Sequence, residues 1–199
     1  MARAVCYRCF RPQVACLCNL CKVVNNRVEV FILQHGRESQ HTLGTTRIAL
    51  LTLAKVRRQI IWRTVDPPAS LSSNAALLYP GAQAIDLGQL TDAQQPDQLV
   101  VIDGTWPQSR VLLRENGWLQ QLPRVSLTPA RPGGYRFRRE PNAQSLSTIE
   151  SIVAALEILE PETADLDNPL AVFTHMVEKQ CGFTEGTRPS LRIAKQNAR

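Results

Sequence analysis

The strongest structural signal in the chain is the stretch Leu99-Val100-Val101-Ile102-Asp103-Gly104-Thr105-Trp106. Its first four residues are apolar and mostly β-branched, which predicts a strand that is buried on both faces. A carboxylate, a glycine, a hydroxyl and an indole follow on one turn, and Pro107 suits the first turn of a helix predicted over 107–117. A buried strand that runs directly into a turn and a helix is typical of a parallel α/β sheet.

The same alternation of strands and helices extends along the chain. Further strands are predicted over 28–33, 59–65, 76–81 and 122–127, and further helices over 42–56, 147–160 and 169–181. Ser147 and Glu150 have the spacing of a capping box at the start of the helix over 147–160. The expected fold class is therefore α/β, with a largely parallel sheet and helices on both of its faces. Functional residues are expected in the loops that follow the strands, because ligands bind at the carboxyl ends of the strands in such sheets.

The charge of the chain is unevenly distributed. The 199 residues include 23 Lys and Arg against 17 Asp and Glu, which gives a net charge of +6. Residues 1–65 carry 11 of the basic and only 2 of the acidic side chains, so their local charge is +9 and that of residues 66–199 is −3. This asymmetry indicates a polyanionic partner. No apolar run is long enough to cross a bilayer and no secretory signal precedes the first cysteines, so we expect no membrane partner and a cytoplasmic location.

Five of the six cysteines lie within sixteen residues of one another near the N-terminus. In a reducing cytoplasm this favours a metal site, because tetrahedral zinc needs four soft donors and short loops supply thiolates in pairs. The expected Zn²⁺ ligands are Cys6, Cys9, Cys16 and Cys18, and Cys21 is the fifth cysteine, which a four-ligand site does not need. Four protein ligands would make the site structural. The alternative is that these are buried or redox-active thiols without a metal. Residues 1–25 are thus expected to form a zinc-binding knuckle ahead of a second domain over 26–199.

Two motifs carry side chains that are suited to chemistry. Asp103 could act as a general base or as the partner of a cation, with Trp106 as a pocket wall or hydrogen-bond donor. The structural alternative makes Asp103 a helix cap and Trp106 a core residue. The start of the helix at Ser147 and Thr148 suits a carboxylate or a phosphate as well as a cap. The chain contains no G-x-G-x-x-G after its first strand and no G-x-x-x-x-G-K-[ST] motif, which disfavours both a dinucleotide-binding Rossmann domain and a P-loop.

Four motifs, taken in order, resemble those of the DTW-domain family. They are the spaced cysteines, Leu77-Leu78-Tyr79-Pro80, Asp103-Gly104-Thr105-Trp106 and Leu146-Ser147-Thr148-Ile149-Glu150. The resemblance covers about residues 5–185 and is closest to the short, bacterial, single-domain form. Family members are similar to tRNA-uridine aminocarboxypropyltransferases, which use S-adenosylmethionine to place a 3-amino-3-carboxypropyl group on N3 of a uridine, at position 47 of the variable loop in bacteria. The family is related to SPOUT-like, trefoil-knotted folds, so the resemblance implies such a catalytic domain over 26–199.

The resemblance also implies which residues carry the reaction. Asp103 is expected to be the catalytic residue, either as the base for the uridine N3 proton or as a group that positions the cofactor. The expected S-adenosylmethionine-binding residues are Leu78, Tyr79, Pro80, Gly104, Thr105, Trp106, Leu127, Thr128, Ser147, Thr148 and Glu150. Arginines interleaved with aromatic rings bind phosphates and stack on unpaired bases. The expected tRNA-binding residues are therefore Arg37, Arg131, Tyr135, Arg136, Arg138 and Arg139.

Two other functions are compatible with the sequence. An RNA methyltransferase of SPOUT type shares the cofactor and the partner but would transfer the methyl group. A non-catalytic, zinc-containing RNA-binding module would bind tRNA in a salt-dependent manner and consume no cofactor. The product released from S-adenosylmethionine separates the three.

Overall fold

The computed structural model describes residues 4–41, 43–128 and 146–185. Within these ranges, six strands form one sheet: β1 (Glu29–His35), β2 (Val56–Ile61), β3 (Ala75–Leu78), β4 (Ile85–Asp86), β5 (Gln98–Asp103) and β6 (Arg124–Ser126). Their order across the sheet is β2-β1-β5-β3-β6-β4, and every adjacent pair is parallel. All strands therefore end at the same edge of the sheet, which brings together the loops that follow them.

Helices cover both faces of this sheet. The described residues form α1 (Gly36–Ser39), α2 (Thr46–Thr52), α3 (Trp106–Glu115), α4 (Gly117–Gln121), α5 (Thr148–Leu159) and α6 (Asn168–Glu185). On β1, Val30 and Ile32 pack into a core with apolar residues of α2, α5 and α6. The alternate residues Phe31 and Leu33 pack into a second core with apolar residues of α3 and α4. The α/β class, the parallel sheet and the helices on both faces are thus confirmed.

Helix α5 shows how local sequence determines an element. Ser147 is its N-cap: the Ser147 side chain accepts a hydrogen bond from the Glu150 amide, and the Glu150 carboxylate accepts one from the Ser147 amide. The apolar residues spaced three and four apart are buried on one face, namely Ile149, Ile152, Val153, Leu156 and Leu159. The predicted span of 147–160 therefore agrees with the structure to within a residue at each end. In the described ranges, no helix is long and apolar enough to span a membrane.

The predicted helix over 42–56 is longer than the observed helix α2, and the predicted strand over 59–65 begins and ends later than the observed strand β2. Helix α2 ends at Thr52 and β2 runs over Val56–Ile61. The side chain of Asn26 accepts a hydrogen bond from the Lys55 amide at 3.0 Å and donates one to the Lys55 carbonyl at 3.0 Å. The side chain of Asn26 thus pairs with the main chain just ahead of β2. This pairing connects residues 29 positions apart, so no local pattern could have predicted it.

The N-terminal segment packs against the last described helix. Leu17 is 2% exposed and belongs to the core that includes α5 and α6. The buried Arg11 guanidinium donates to Met176 Sδ at 2.8 Å. Asn168, at the start of α6, accepts a hydrogen bond from the Lys22 amide and donates one to the Leu20 carbonyl. These contacts position the cysteine cluster against the main body, and the boundary between residues 25 and 26 stays a prediction.

Candidate active site and metal centre

Asp103 ends β5 and is 5% exposed. Its Oδ2 atom accepts hydrogen bonds from Gln34 Nε2 and from Thr46 Oγ1, each at 2.7 Å. Its Oδ1 atom accepts a hydrogen bond from Thr148 Oγ1 at 2.5 Å. Donors from three separate elements thus converge on one carboxylate, which is held as an acceptor in a single orientation.

The fold itself brings these donors to Asp103. The register of the parallel pair β1 and β5 places Gln34 directly beside Asp103. Thr46 and Thr148 are the first residues of α2 and α5. Hydroxyl groups at the amino termini of two helices therefore meet the carboxylate. Thr148 is the one predicted cofactor-binding residue that contacts Asp103 in this way.

Arg58 orients the side chain of Gln34, which is 2% exposed. Its Oε1 atom accepts a hydrogen bond from Arg58 Nη1 at 3.2 Å, while its Nε2 atom donates to Asp103. Since Arg58 can only donate, it determines which end of the Gln34 side chain faces the carboxylate. Sequence analysis missed Gln34, Thr46 and Arg58. A polar residue at the end of an apolar strand was the available indication for Gln34.

The cap of α3 is Thr105 and not Asp103. Thr105 Oγ1 accepts a hydrogen bond from the Gln108 amide at 3.4 Å, and Gln108 Oε1 accepts one from the Thr105 amide at 2.7 Å. A Cβ atom at Gly104 would lie 3.2 Å from Gln108 Cβ, so the glycine allows this tight turn. The reading of Asp103 as a helix cap is therefore wrong, and the carboxylate is available to the network around it.

Trp106 and Tyr79 form an aromatic pair beside the same turn. Their ring centroids lie 6.1 Å apart at an interplanar angle of 72°, an edge-to-face contact. Trp106 is 39% exposed, so it is not the core residue of the structural alternative. Burial raises the pKa of the half-buried Tyr79 hydroxyl. Tyr79 packs with the core on the side of α3, whereas the alternation along β5 places Asp103 on the side of α5.

The remaining predicted cofactor-binding residues lie at the same edge of the sheet. Leu78 ends β3 and Leu127 follows β6, and both pack against the larger core. Pro80 comes two residues after β3 ends. Thr128 Oγ1 donates to Asp86 Oδ2 at 2.9 Å. The Ser147 and Glu150 side chains take part in the capping box of α5, so each has a structural role whatever else it binds.

The predicted RNA-binding residues fall into two groups. Arg37 is exposed in α1, directly after β1, where its amide donates to His35 Nδ1. Arg131, Tyr135, Arg136, Arg138 and Arg139 lie outside the described residues. Sequence analysis missed Trp62, which follows β2, is 59% exposed and lies edge-on to the His35 ring with 5.8 Å between centroids.

Four thiols come together in the N-terminal segment. The Sγ atoms of Cys6, Cys9, Cys16 and Cys18 all lie within 4.8 Å of one another. Cys6 and Cys18 are 3.8 Å apart and Cys9 and Cys16 are 3.7 Å apart. A tetrahedron with Zn–S bonds of about 2.3 Å has edges of about 3.8 Å, so the cluster has the dimensions of a four-thiolate zinc site. Cys21 Sγ instead donates to the Leu17 carbonyl at 3.3 Å, so the cluster can bind a metal without it.

The electrostatics of the cluster also suit a cation. Backbone N–H groups of Cys9 and Arg8 lower the pKa of the Cys6 thiol to about 6. Burial and the neighbouring thiols instead raise the pKa of Cys18. Adding further negative charge next to one thiolate is thus unfavourable in the absence of a counter-ion. A divalent cation supplies that charge and deprotonates its ligands.

Comparison with known proteins shows which family the chain resembles over nearly its whole length. The family model described as the DTW domain matches residues 3–181. The chain is 31% identical to "tRNA-uridine aminocarboxypropyltransferase 2" of Macaca fascicularis, over 98% of this chain and 68% of that protein. It is 25% identical to "tRNA-uridine aminocarboxypropyltransferase A" of Arabidopsis thaliana, over 98% of this chain and 87% of that protein. No solved structure matches the chain.

Proposed function

The chain belongs to the DTW-domain family, and on that premise we propose that it is an S-adenosylmethionine-dependent tRNA-uridine aminocarboxypropyltransferase. The names of the curated relatives support the activity. The observation that carries the proposal is the Asp103 carboxylate, which is held by three donors at the edge where all strands end. S-adenosylmethionine would supply the 3-amino-3-carboxypropyl group to N3 of a uridine, at position 47 of the variable loop. The N3–C bond forms as the C–S bond breaks, 5′-methylthioadenosine leaves, and the N3 proton is released to solvent.

The network around Asp103 favours a positioning role over proton abstraction. Three donors already point at its two oxygens, so the carboxylate is fixed as a hydrogen-bond acceptor and a negative charge. Such a group attracts a cation, and the cofactor carries both a sulfonium and an ammonium. Orienting the aminocarboxypropyl arm is what distinguishes this transfer from methyl transfer, because the choice among three electrophilic carbons depends on position.

The surrounding residues fit the other parts of the cofactor. The half-exposed Tyr79 and Trp106 rings offer an apolar surface for adenine, together with Leu78, Pro80, Gly104, Leu127 and Thr128 at the same edge. The start of α5 at Ser147, Thr148 and Glu150 suits a carboxylate, as does the Thr105 cap at the start of α3. The site thus offers an aromatic surface for the adenine of the cofactor, the Asp103 carboxylate for its cationic groups, and helix amino termini for its carboxylate.

The remaining parts of the proposal concern the knuckle and the RNA. Cys6, Cys9, Cys16 and Cys18 bind one structural Zn²⁺ in residues 1–25, and residues 26–199 form the SPOUT-like catalytic domain. The residues that bind tRNA are Arg37, Arg131, Tyr135, Arg136, Arg138 and Arg139. A reducing cytoplasm, where thiols are kept available for metal binding, is the proposed location.

Incubation of the zinc-loaded protein with S-adenosylmethionine and unmodified tRNA transcript tests the activity. Release of 5′-methylthioadenosine is expected, whereas S-adenosylhomocysteine would identify a methyltransferase and no tRNA-dependent product would indicate a binding module. Asp103→Asn keeps the shape of the side chain and removes its charge, so turnover should be lost while tRNA affinity is nearly unchanged. The matched control is Asp92→Asn, which changes an exposed aspartate six residues before β5 begins, at the opposite end of that strand from Asp103. Normal turnover of Asp103→Asn would remove Asp103 from the reaction.

A further inference from the structure

Phe10 adopts a backbone conformation that does not suit its side chain. Its φ angle is +54°, in the left-handed region that glycine occupies freely and bulky residues rarely occupy. The conformation belongs to the turn that carries the first two cysteines, because the Phe10 amide donates to the Cys6 carbonyl at 2.7 Å. The Phe10 ring is 61% exposed and therefore adds little to the core. A glycine would close the same turn without strain, so the turn itself does not account for the ring.

The ring lies against a cation that is fixed in place. The Arg47 guanidinium carbon is 5.3 Å from the Phe10 ring centroid, a cation–π contact. Arg47 Nη1 also donates to the Cys9 carbonyl at 3.0 Å. Arg47 follows Thr46, whose hydroxyl binds Asp103. The exposed ring is thus connected through Arg47 to the candidate active site.

A second cation extends this surface. Arg58 donates to Gln34, and Gln34 and Thr46 share Asp103 Oδ2, so the Arg58 guanidinium adjoins the Asp103 network, and Arg47 directly follows Thr46 of that network in the chain. Arg58 is exposed on β2, the strand that pairs with β1 beside Gln34. Among the described residues, neither arginine forms an ion pair. Residues 1–28 contain no Asp or Glu.

We propose that Phe10, Arg47 and Arg58 form a binding surface for unpaired RNA that leads from the cysteine knuckle to the Asp103 site. The two guanidinium groups bind a backbone phosphate, and the Phe10 ring stacks on an unpaired base of the same strand. The inference rests on the proposed function, since it assigns the surface to the loop that contains the target uridine. A phosphate supplies the anionic partner that both arginines lack among the described residues, and a base stacked on the ring accounts for the retention of a strained aromatic residue.

Phe10→Gly is the decisive variant because it removes the ring and the strain together. The zinc-loaded variant should bind one zinc and unfold at the same temperature as the parent protein or above it. Its Kd for a single-stranded 12-nucleotide oligoribonucleotide, and for tRNA transcript, should rise about tenfold because a base–aromatic stack is lost. Its Kd for duplex RNA of equal length should not change. The control Val14→Ala removes another exposed apolar side chain from the knuckle and should leave every Kd unchanged.

Arg58→Gln tests the phosphate contact independently. The slope of log K against log salt for tRNA should decrease by about one unit. Arg63→Gln makes the same change of net charge at an arginine that is paired with Glu115, and its slope should equal that of the parent protein. Unchanged affinity of Phe10→Gly for single-stranded RNA, or equal weakening for single-stranded and duplex RNA, would overturn the inference. If the parent protein nevertheless releases 5′-methylthioadenosine with tRNA, only this inference fails and the proposed function stands.

Discussion

Replacement of Thr46 by valine tests the structural role of the Asp103 network. Thr46 is fully buried, and its hydroxyl donates to Asp103 Oδ2 at 2.7 Å. Valine has nearly the same shape but cannot donate, so it leaves a buried carboxylate with one donor fewer. A hydrogen bond to a charged group contributes about 1.5–3 kcal/mol, so we expect Thr46→Val to lower the free energy of unfolding by about 2 kcal/mol.

The same helix provides a matched control. Thr52 is also fully buried, but its hydroxyl donates at 2.8 Å to the carbonyl of Ile48, one turn earlier in α2. That acceptor is neutral and already belongs to the helix, so Thr52→Val should cost less than about 1 kcal/mol. The difference between the two variants therefore reports the charge of the acceptor and not the loss of a buried hydroxyl in general.

Urea denaturation of the zinc-loaded variants measures both costs, and Asp103→Asn supplies the second background. With the negative charge removed, Thr46→Val should cost about as much as Thr52→Val, which gives a coupling energy of about 1–2 kcal/mol between positions 46 and 103. In thermal unfolding, 2 kcal/mol corresponds to a decrease of about 4–8 °C for a chain of this size. Equal costs of Thr46→Val in both backgrounds, or a Thr52→Val variant as unstable as Thr46→Val, would refute the proposed network.

Three further predictions address other parts of the molecule. Removal of the metal with a chelator should lower the unfolding temperature of a preparation that contains one zinc per chain, since binding to thiolates contributes on the order of 10 kcal/mol, and an unchanged temperature would contradict a structural metal. Arg63 lowers the pKa of Glu115 below its ordinary 4.5, so the ion pair stabilises the fold above that pH. Arg63→Gln should therefore destabilise at pH 7, and the difference in unfolding free energy should shrink as the pH falls below 4.5 and Glu115 is protonated in both proteins. A Cβ at Gly36 would lie 2.3 Å from the Trp62 ring, so Gly36→Ala should cost about 1–3 kcal/mol, and Trp62→Ala should relieve most of that cost when the two are combined.

The parts of the fold that could be predicted from the sequence are those that local patterns determine. The continuous apolar run at 99–102 identified the central strand β5, and the capping box at Ser147 identified the start of α5. The start of β2 could not be predicted, because the side chain of Asn26 pairs with the main chain just ahead of this strand. The two-residue strand β4 is too short for any periodicity to reveal.

The same distinction applies to the candidate site. Asp103 could be identified because a carboxylate at the end of a buried strand is conspicuous in the sequence. Its donors Gln34 and Thr46 lie 69 and 57 residues away, and only the strand register and the packing of α2 bring them to it. Thr148 was predicted to bind the cofactor from its place at a helix start, and this stays a prediction. The structure shows in addition that its hydroxyl donates to Asp103, which the sequence could not indicate.

Mass spectrometry of tRNA nucleosides from cells with and without this protein tests the proposed function most directly. The nucleoside 3-(3-amino-3-carboxypropyl)uridine should be present when the protein is present, should be lost in its absence, and should not be restored by Asp103→Asn. An unchanged level of this nucleoside, or the loss of a methylated nucleoside in its place, would contradict the proposed function.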